Sequence, residues 1–147
     1  MLLVRVTMFT TVITAAAWAP VRIHAEPGAE AHAPLLPLSD QDEQSTQETG
    51  CTSTFTLGMH DYLQLIGTEL LLRDRRGLNA CRLTGAATEA LETGRGNVFC
   101  AGYLLRIRSS GKATANLASD SSSRRATLTI DRGGAATSMR GIWGVAC

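Results

Sequence analysis

Apolar and polar residues alternate along most of the chain after residue 50. The clearest runs are 52–57, 112–117 and 125–131, and shorter or less regular ones occupy 62–66, 68–73, 80–83, 99–108 and 139–145. A period of two is typical of antiparallel strands with one buried face. Glycine-containing turns at 74–77, 109–111 and 131–134 separate neighbouring runs. The pattern predicts an all-β domain, namely a small antiparallel meander barrel or sandwich of about 7–8 strands.

One short helix is predicted within this domain, over residues 86–93. Thr84 precedes it as a candidate N-cap, and Gly94 follows its end. Threonine at the N-cap accepts a backbone hydrogen bond, and glycine tolerates the left-handed conformation that often ends a helix.

The first 25 residues have the pattern of a signal peptide. Arg5 precedes residues 6–19, which are uncharged and rich in apolar side chains. This run is shorter than the roughly 20 residues of a transmembrane helix. Cleavage is expected after Ala25; a cut after Ala19 is the alternative, but Pro20 would make a poor substrate there. An uncleaved amphipathic anchor is a further alternative. The predicted location is periplasmic or secreted, with no transmembrane segment.

Residues 26–50 differ sharply in charge from the rest. This segment has six acidic residues and no Lys or Arg, whereas 51–147 has twelve basic and seven acidic residues. All four prolines lie before residue 50. A segment with so little apolar surface cannot offset the entropy of ordering. We therefore expect a disordered acidic linker over 26–50 and a basic domain over 51–147.

The four cysteines are Cys51, Cys81, Cys100 and Cys147. An even number in an exported chain indicates disulfides, and four cysteines allow three pairings. We predict Cys51–Cys147, which would fasten the first strand to the last residue, and Cys81–Cys100, which would link two strands across the short helix. Zinc binding is the alternative, but the intervals are long and no C-x-x-C occurs.

The residues that could carry catalysis do not form a recognisable set. His60 is the single histidine of the basic domain and precedes Asp61, while Glu89 and Glu92 share one face of the predicted helix. A serine-rich stretch at 119–123 has the composition of a polar loop rather than a nucleophile elbow. We predict no enzyme activity, no catalytic residue, no cofactor and no metal; a small hydrolase using His60 is the alternative.

Two groups of arginines are the candidate partner-binding residues. Arg73, Arg75 and Arg76 cluster at one turn, and Arg106 and Arg108 alternate with apolar residues on one strand. Arg124 and Arg125 open a further strand and could join the same surface. If they converge, they form a basic surface for an acidic protein or envelope component. The alternative is solvated charge that keeps strand edges from pairing. Nucleic acid is disfavoured because the chain is exported and has few aromatic residues for stacking.

The order of features, with a signal peptide, a linker, Cys51 at the start of the domain and Cys147 at its end, resembles that of small exported inhibitors of lysozymes and proteases from Gram-negative bacteria. The resemblance implies a disulfide-linked antiparallel barrel, and it transfers no inhibitory residue to this chain. A small β scaffold without a catalytic set favours an exported non-enzymatic binding module, and an inhibitor of an envelope hydrolase is one form that this module could take. The alternatives are a small secreted hydrolase and a structural envelope protein whose acidic arm binds another component.

Overall fold

A computed structural model describes residues 34–147. In this part of the chain, nine antiparallel strands form one curled half-barrel sheet, and two short helices accompany it. The predicted all-β class is confirmed, whereas the predicted signal peptide and residues 26–33 lie outside the described residues. None of the helices between residues 34 and 147 has the length and apolar character needed to cross a bilayer. The elements are β1 (Leu35–Leu36), α1 (Asp40–Glu43), β2 (Thr52–Leu57), β3 (His60–Ile66), β4 (Glu69–Asp74), β5 (Gly77–Arg82), α2 (Gly85–Glu92), β6 (Arg95–Cys100), β7 (Tyr103–Asn116), β8 (Ser121–Arg132) and β9 (Ala135–Ala146).

The sheet consists of two meanders that meet in its middle. Strands β2 to β5 form one, strands β6 to β9 form the other, and β2 pairs with β9 so that Phe55 lies opposite Trp143. The strands at the two ends of this arrangement are β5, which pairs with β4, and β6, which pairs with β7. The first and last long strands are therefore neighbours, and the two edges of the half-barrel are joined in sequence by α2.

The inner face of the half-barrel holds the hydrophobic core. Phe55, Tyr103 and Trp143 are its largest side chains, each at most 2% exposed. Helix α2 adds Leu91, which is fully buried. A Cβ atom at Gly96 would lie 2.6 Å from Leu91 Cδ2, so glycine at this position lets the helix approach β6. Thr84 caps α2 as predicted, because its hydroxyl accepts from the Ala87 N–H.

Both predicted disulfides are present. Cys51–Cys147 joins the residues flanking β2 and β9, with Cα atoms 4.3 Å apart. Cys81–Cys100 joins β5 to β6, with Cα atoms 5.7 Å apart. The second bond links the two edge strands, which form no backbone ladder with each other in the described sheet. These two disulfides indicate an oxidising environment of the extracellular type.

Two turns differ from the sequence-based expectation. Residues 99–108 were expected to form one strand, but Ala101 and Gly102, with φ of 53° and 84°, make a tight turn between β6 and β7. Positive φ at both central residues is the geometry of a two-residue hairpin turn. Gly111 was expected to end a strand, yet β7 continues through it, with an irregular register between Ser110 and Thr114. The predicted turns around Arg75 and Gly133 are confirmed.

The segment expected to be a disordered linker is ordered from Leu35 onward. Strand β1 pairs with the end of β4, and the Leu38 N–H donates to the Asp61 carbonyl of β3 at 2.7 Å. The chain thus enters between β3 and β4, and Leu35 is 1% exposed. The expectation for 35–50 was wrong because a few apolar residues and one buried carboxylate, Asp42, suffice to anchor it. We call residues 35–50 the acidic arm.

One end of the half-barrel is closed by a polar cluster. The Tyr103 hydroxyl donates to Asp74 Oδ2 at 3.2 Å and accepts from Arg132 Nη1 at 3.1 Å. The Arg132 guanidinium also lies over the Tyr103 ring, 5.0 Å from its centroid. Burial by itself would raise the pKa of Asp74, but hydrogen bonds from the Arg76 N–H and the Tyr103 hydroxyl outweigh it and lower the pKa. Asp74 therefore stays charged inside this cluster.

Candidate functional site: an arginine face

The outer face of strands β6 to β9 carries five exposed arginines. On each of these strands the inward residues belong to the core and the alternate residues point to solvent. We call the outward set of Arg95, Arg106, Arg108, Arg125 and Arg140 the arginine face. Asp131 is the acidic residue among the outward positions of these four strands, and its carboxylate accepts from the Gly134 N–H.

The strand register brings three of these arginines into one row. Arg95 lies opposite Arg108, Arg108 lies opposite Thr127, and Thr127 lies opposite Arg140. Side chains directly opposite on antiparallel strands have Cβ atoms about 5 Å apart, and like charges at this spacing repel. The row Arg95–Arg108–Thr127–Arg140 is therefore a concentration of positive charge on a rigid sheet.

Arg125 extends the charge along β8. It precedes Thr127 by two residues, so it points to the same side about 7 Å away. An open depression of about 440 Å³ lies here, and its lining includes Arg125, Arg140, Thr127 and Ile142. Thr127 is thus flanked by arginines on three sides: Arg108 and Arg140 across the sheet, and Arg125 along its own strand.

A second open depression continues along the same outer face. It has a volume of about 390 Å³ and a lining dominated by small polar side chains, namely Thr52, Thr54, Thr114, Asn116 and Ser121 to Ser123. Gly144 and Ala146 of β9 form its floor between β2 and β8. The outer face therefore changes from cationic near Thr127 to hydroxyl-rich towards Ala146.

The charges of the arginine face are not neutralised within the described chain. The ion pairs between residues 34 and 147 are Arg73–Asp42 and Arg82–Glu48, both involving the acidic arm. Arg108 donates only to the carbonyl of Ile107, next to it in sequence. The guanidiniums of this face thus have no carboxylate partner among the described residues.

Of the arginines considered from the sequence, Arg106, Arg108 and Arg125 belong to this face. Arg73 instead donates through Nε to Asp42 Oδ2 at 2.7 Å and through Nη2 to Asp42 Oδ1. Hydrogen bonds from this guanidinium hold the pKa of Asp42 well below its usual range. Arg75 and Arg76 are exposed on the β4–β5 turn. The arginines considered from the sequence therefore do not all converge, and the role of Arg73, Arg75, Arg76, Arg106 and Arg108 in partner binding stays a prediction.

Sequence reasoning missed Arg95 and Arg140. Each occupies an outward position of a strand, which alternation alone could have indicated. The alternation of apolar and polar residues does not show which residues lie opposite each other on neighbouring strands. This pairing register places Arg108 and Arg140 on either side of Thr127.

The candidate catalytic residues remain separate. His60 is exposed at the start of β3, and the neighbouring Asp61 carboxylate accepts from the Thr56 hydroxyl. Glu89 and Glu92 lie on α2 and form no ion pair with described residues. These positions offer no assembled acid–base pair in residues 34–147, and all four cysteines are used in disulfides.

Comparison with known proteins found no matching family model, no matching curated protein and no matching solved structure.

Proposed function

We propose that the protein is an exported binding module that holds an acidic protein or envelope component against the arginine face. It would act in the periplasm or outside the cell, where both disulfides persist. An envelope hydrolase with an acidic surface is one such partner, and the protein would then be its inhibitor.

The observation that supports this proposal is the set of arginines that have no carboxylate partner within residues 34–147. Arg95 and Arg108 lie directly opposite each other, and Arg140 follows across Thr127. This arrangement costs stability in the isolated protein. An acidic partner removes the repulsion, and guanidiniums bind carboxylates and phosphates with paired hydrogen bonds.

The scaffold favours binding for a second reason. The arginines project from paired strands rather than from loops, and Cys81–Cys100 links the two edge strands. A surface held in one conformation loses little conformational entropy when a partner binds. The complementary charge also accelerates association, an effect that salt weakens.

The test compares two double variants, each of which replaces two arginines with glutamates. Full-length protein is produced under oxidising conditions, immobilised and exposed to envelope extract. The variant Arg108→Glu/Arg140→Glu changes the arginine face, and Arg75→Glu/Arg76→Glu changes the β4–β5 turn, where the arginines are also exposed. We expect wild type and the turn variant to retain the same acidic component, and the face variant to lose it.

Circular dichroism of both variants checks that the fold is intact. Retention by the face variant would contradict the proposal. Equal loss in both variants would show that binding follows net charge rather than this face, and it would also overturn the proposal.

A further inference from the structure

The arginines around Thr127 are arranged as a defined site rather than as a general basic surface. Its hydroxyl points outward at the centre of β8, while the next outward hydroxyl along that strand, that of Thr129, is already hydrogen-bonded to Ser138. Arg108 and Arg140 approach from the two neighbouring strands, and Arg125 approaches along β8. Since strands are about 4.8 Å apart, the two cross-strand arginines start about 10 Å from each other, with Thr127 midway.

This arrangement suits a tetrahedral anion better than a carboxylate. A carboxylate carries one charge and two coplanar oxygens, which a single guanidinium fork can satisfy. A phosphate monoester carries a charge of about −1.5 to −2 and three free oxygens. Three guanidiniums from three directions can each meet one oxygen, and the Thr127 hydroxyl can donate from below.

The residues around this cluster indicate what carries the phosphate. Towards Ala146 the outer face is lined by Thr52, Thr54, Thr114, Asn116 and serines of β8. Hydroxyl and amide groups can hydrogen-bond the hydroxyls of a sugar. The large apolar side chains bordering the Thr127 depression are Leu57 and Ile142. Leu117 and Met59, which are strongly exposed, lie instead in the β7–β8 and β2–β3 turns.

We infer that the arginine face binds a saccharide bearing a terminal phosphate monoester, with the phosphate over Thr127 and the sugar along the hydroxyl-lined depression. This inference rests on the proposed function and names the chemistry of the acidic component. Arg108, Arg125 and Arg140 hold the phosphate, and Thr127 donates to it.

The test uses full-length protein with both disulfides and NMR titrations at constant ionic strength. The probes are a hexose 6-phosphate, the corresponding hexuronate, and vesicles containing phosphatidic acid. We expect the hexose phosphate to bind about tenfold or more tightly than the hexuronate. Its affinity should rise between pH 5 and 7.5, because the second phosphate pKa is about 6 whereas arginine keeps its charge.

Matched variants locate the site. Arg140→Gln should weaken binding of the hexose phosphate about tenfold, and Thr127→Val should weaken it severalfold. The controls Arg75→Gln, an exposed arginine away from the face, and Thr129→Val, a neighbouring outward threonine, should leave the affinity unchanged.

Equal affinity for hexuronate and hexose phosphate, equal effects of Arg75→Gln and Arg140→Gln, or binding to vesicles alone would each overturn the inference. If these results occur while Arg108→Glu/Arg140→Glu still abolishes retention of the acidic component, the phosphate assignment fails and the proposed function stands. If retention is also unchanged by that double variant, both fail.

Discussion

Outward-facing arginines occur on both halves of the sheet, but within residues 34–147 they form ion pairs with carboxylates on only one half. On β4 and β5, Arg73 pairs with Asp42 and Arg82 pairs with Glu48. On β6 to β9 the arginines have no such partner in residues 34–147. The acidic arm therefore neutralises Arg73 and Arg82 on the first half, and it leaves the arginines of the second half available to solvent.

The two halves also differ in what covers them. Gln64 and Leu71 lie opposite each other on β3 and β4, and each alternates with inward core residues, so both point outward. They are nevertheless 7% and 1% exposed, on the half where the arm is anchored. The outward positions of β6 to β9 have no comparable cover among described residues. The paired arginines of β4 and β5 thus contribute to the stability of one half. The unpaired arginines on the outer face of β6 to β9 are available for binding.

Among the variants that test the difference between the two halves, Asp42→Asn should change the free energy of unfolding most. Asp42 accepts from the Arg73 guanidinium and from the N–H and hydroxyl of Ser39. Losing these charge-assisted bonds should lower the free energy of unfolding by about 2 kcal/mol, as measured by urea denaturation at pH 7. Asp40→Asn, an exposed change in the same helix, should cost less than about 0.5 kcal/mol. Equal effects would mean that Asp42 does not anchor the arm.

A smaller, pH-dependent effect should follow from the same pair. The pKa of Asp42 is depressed in the folded protein, whereas an unfolded aspartate titrates near 3.9. Its contribution is therefore complete above that value and declines as the pH falls below about 4 towards the folded pKa. The stability difference between wild type and Asp42→Asn should be constant from pH 5 to 8 and shrink in urea titrations near pH 2.5. A difference that grows on acidification would contradict this assignment.

The smallest change in the free energy of unfolding is expected on strands β6 to β9, where removing a charge should stabilise the protein. Arg95→Gln removes one of two like charges that lie directly opposite each other. The free energy of unfolding should rise by a few tenths of a kcal/mol at low ionic strength and should not change in 1 M salt. Arg82→Gln, which breaks an exposed pair, should instead lower it slightly. A loss of stability in Arg95→Gln at low salt would show that this face is internally neutralised.

Local chemistry made parts of the fold predictable from sequence. Alternation identified the strands, the four cysteines limited the pairings, and Thr84 marked the start of α2. The turn at Ala101 was not predicted, because alanine rarely takes a positive φ. The acidic arm was missed because its order depends on partners distant in sequence, such as Arg73 for Asp42. The arginine face was only half found for the same reason, since its composition depends on register.

The Cys51–Cys147 bond has a mechanical consequence. A pulling force applied between a point before Leu35 and Cys147 passes from the acidic arm through Cys51 directly into the disulfide. Once the hydrogen bonds of the arm to β3 and β4 have broken, the strands between these cysteines lie outside that load path, so the hydrogen bonds among those strands bear no tension. Only residues 35–50 can lengthen, by at most roughly 50 Å. Under load the acidic arm would extend over a short distance, while the disulfide-closed domain from Cys51 to Cys147 would stay folded and keep its outer surface intact.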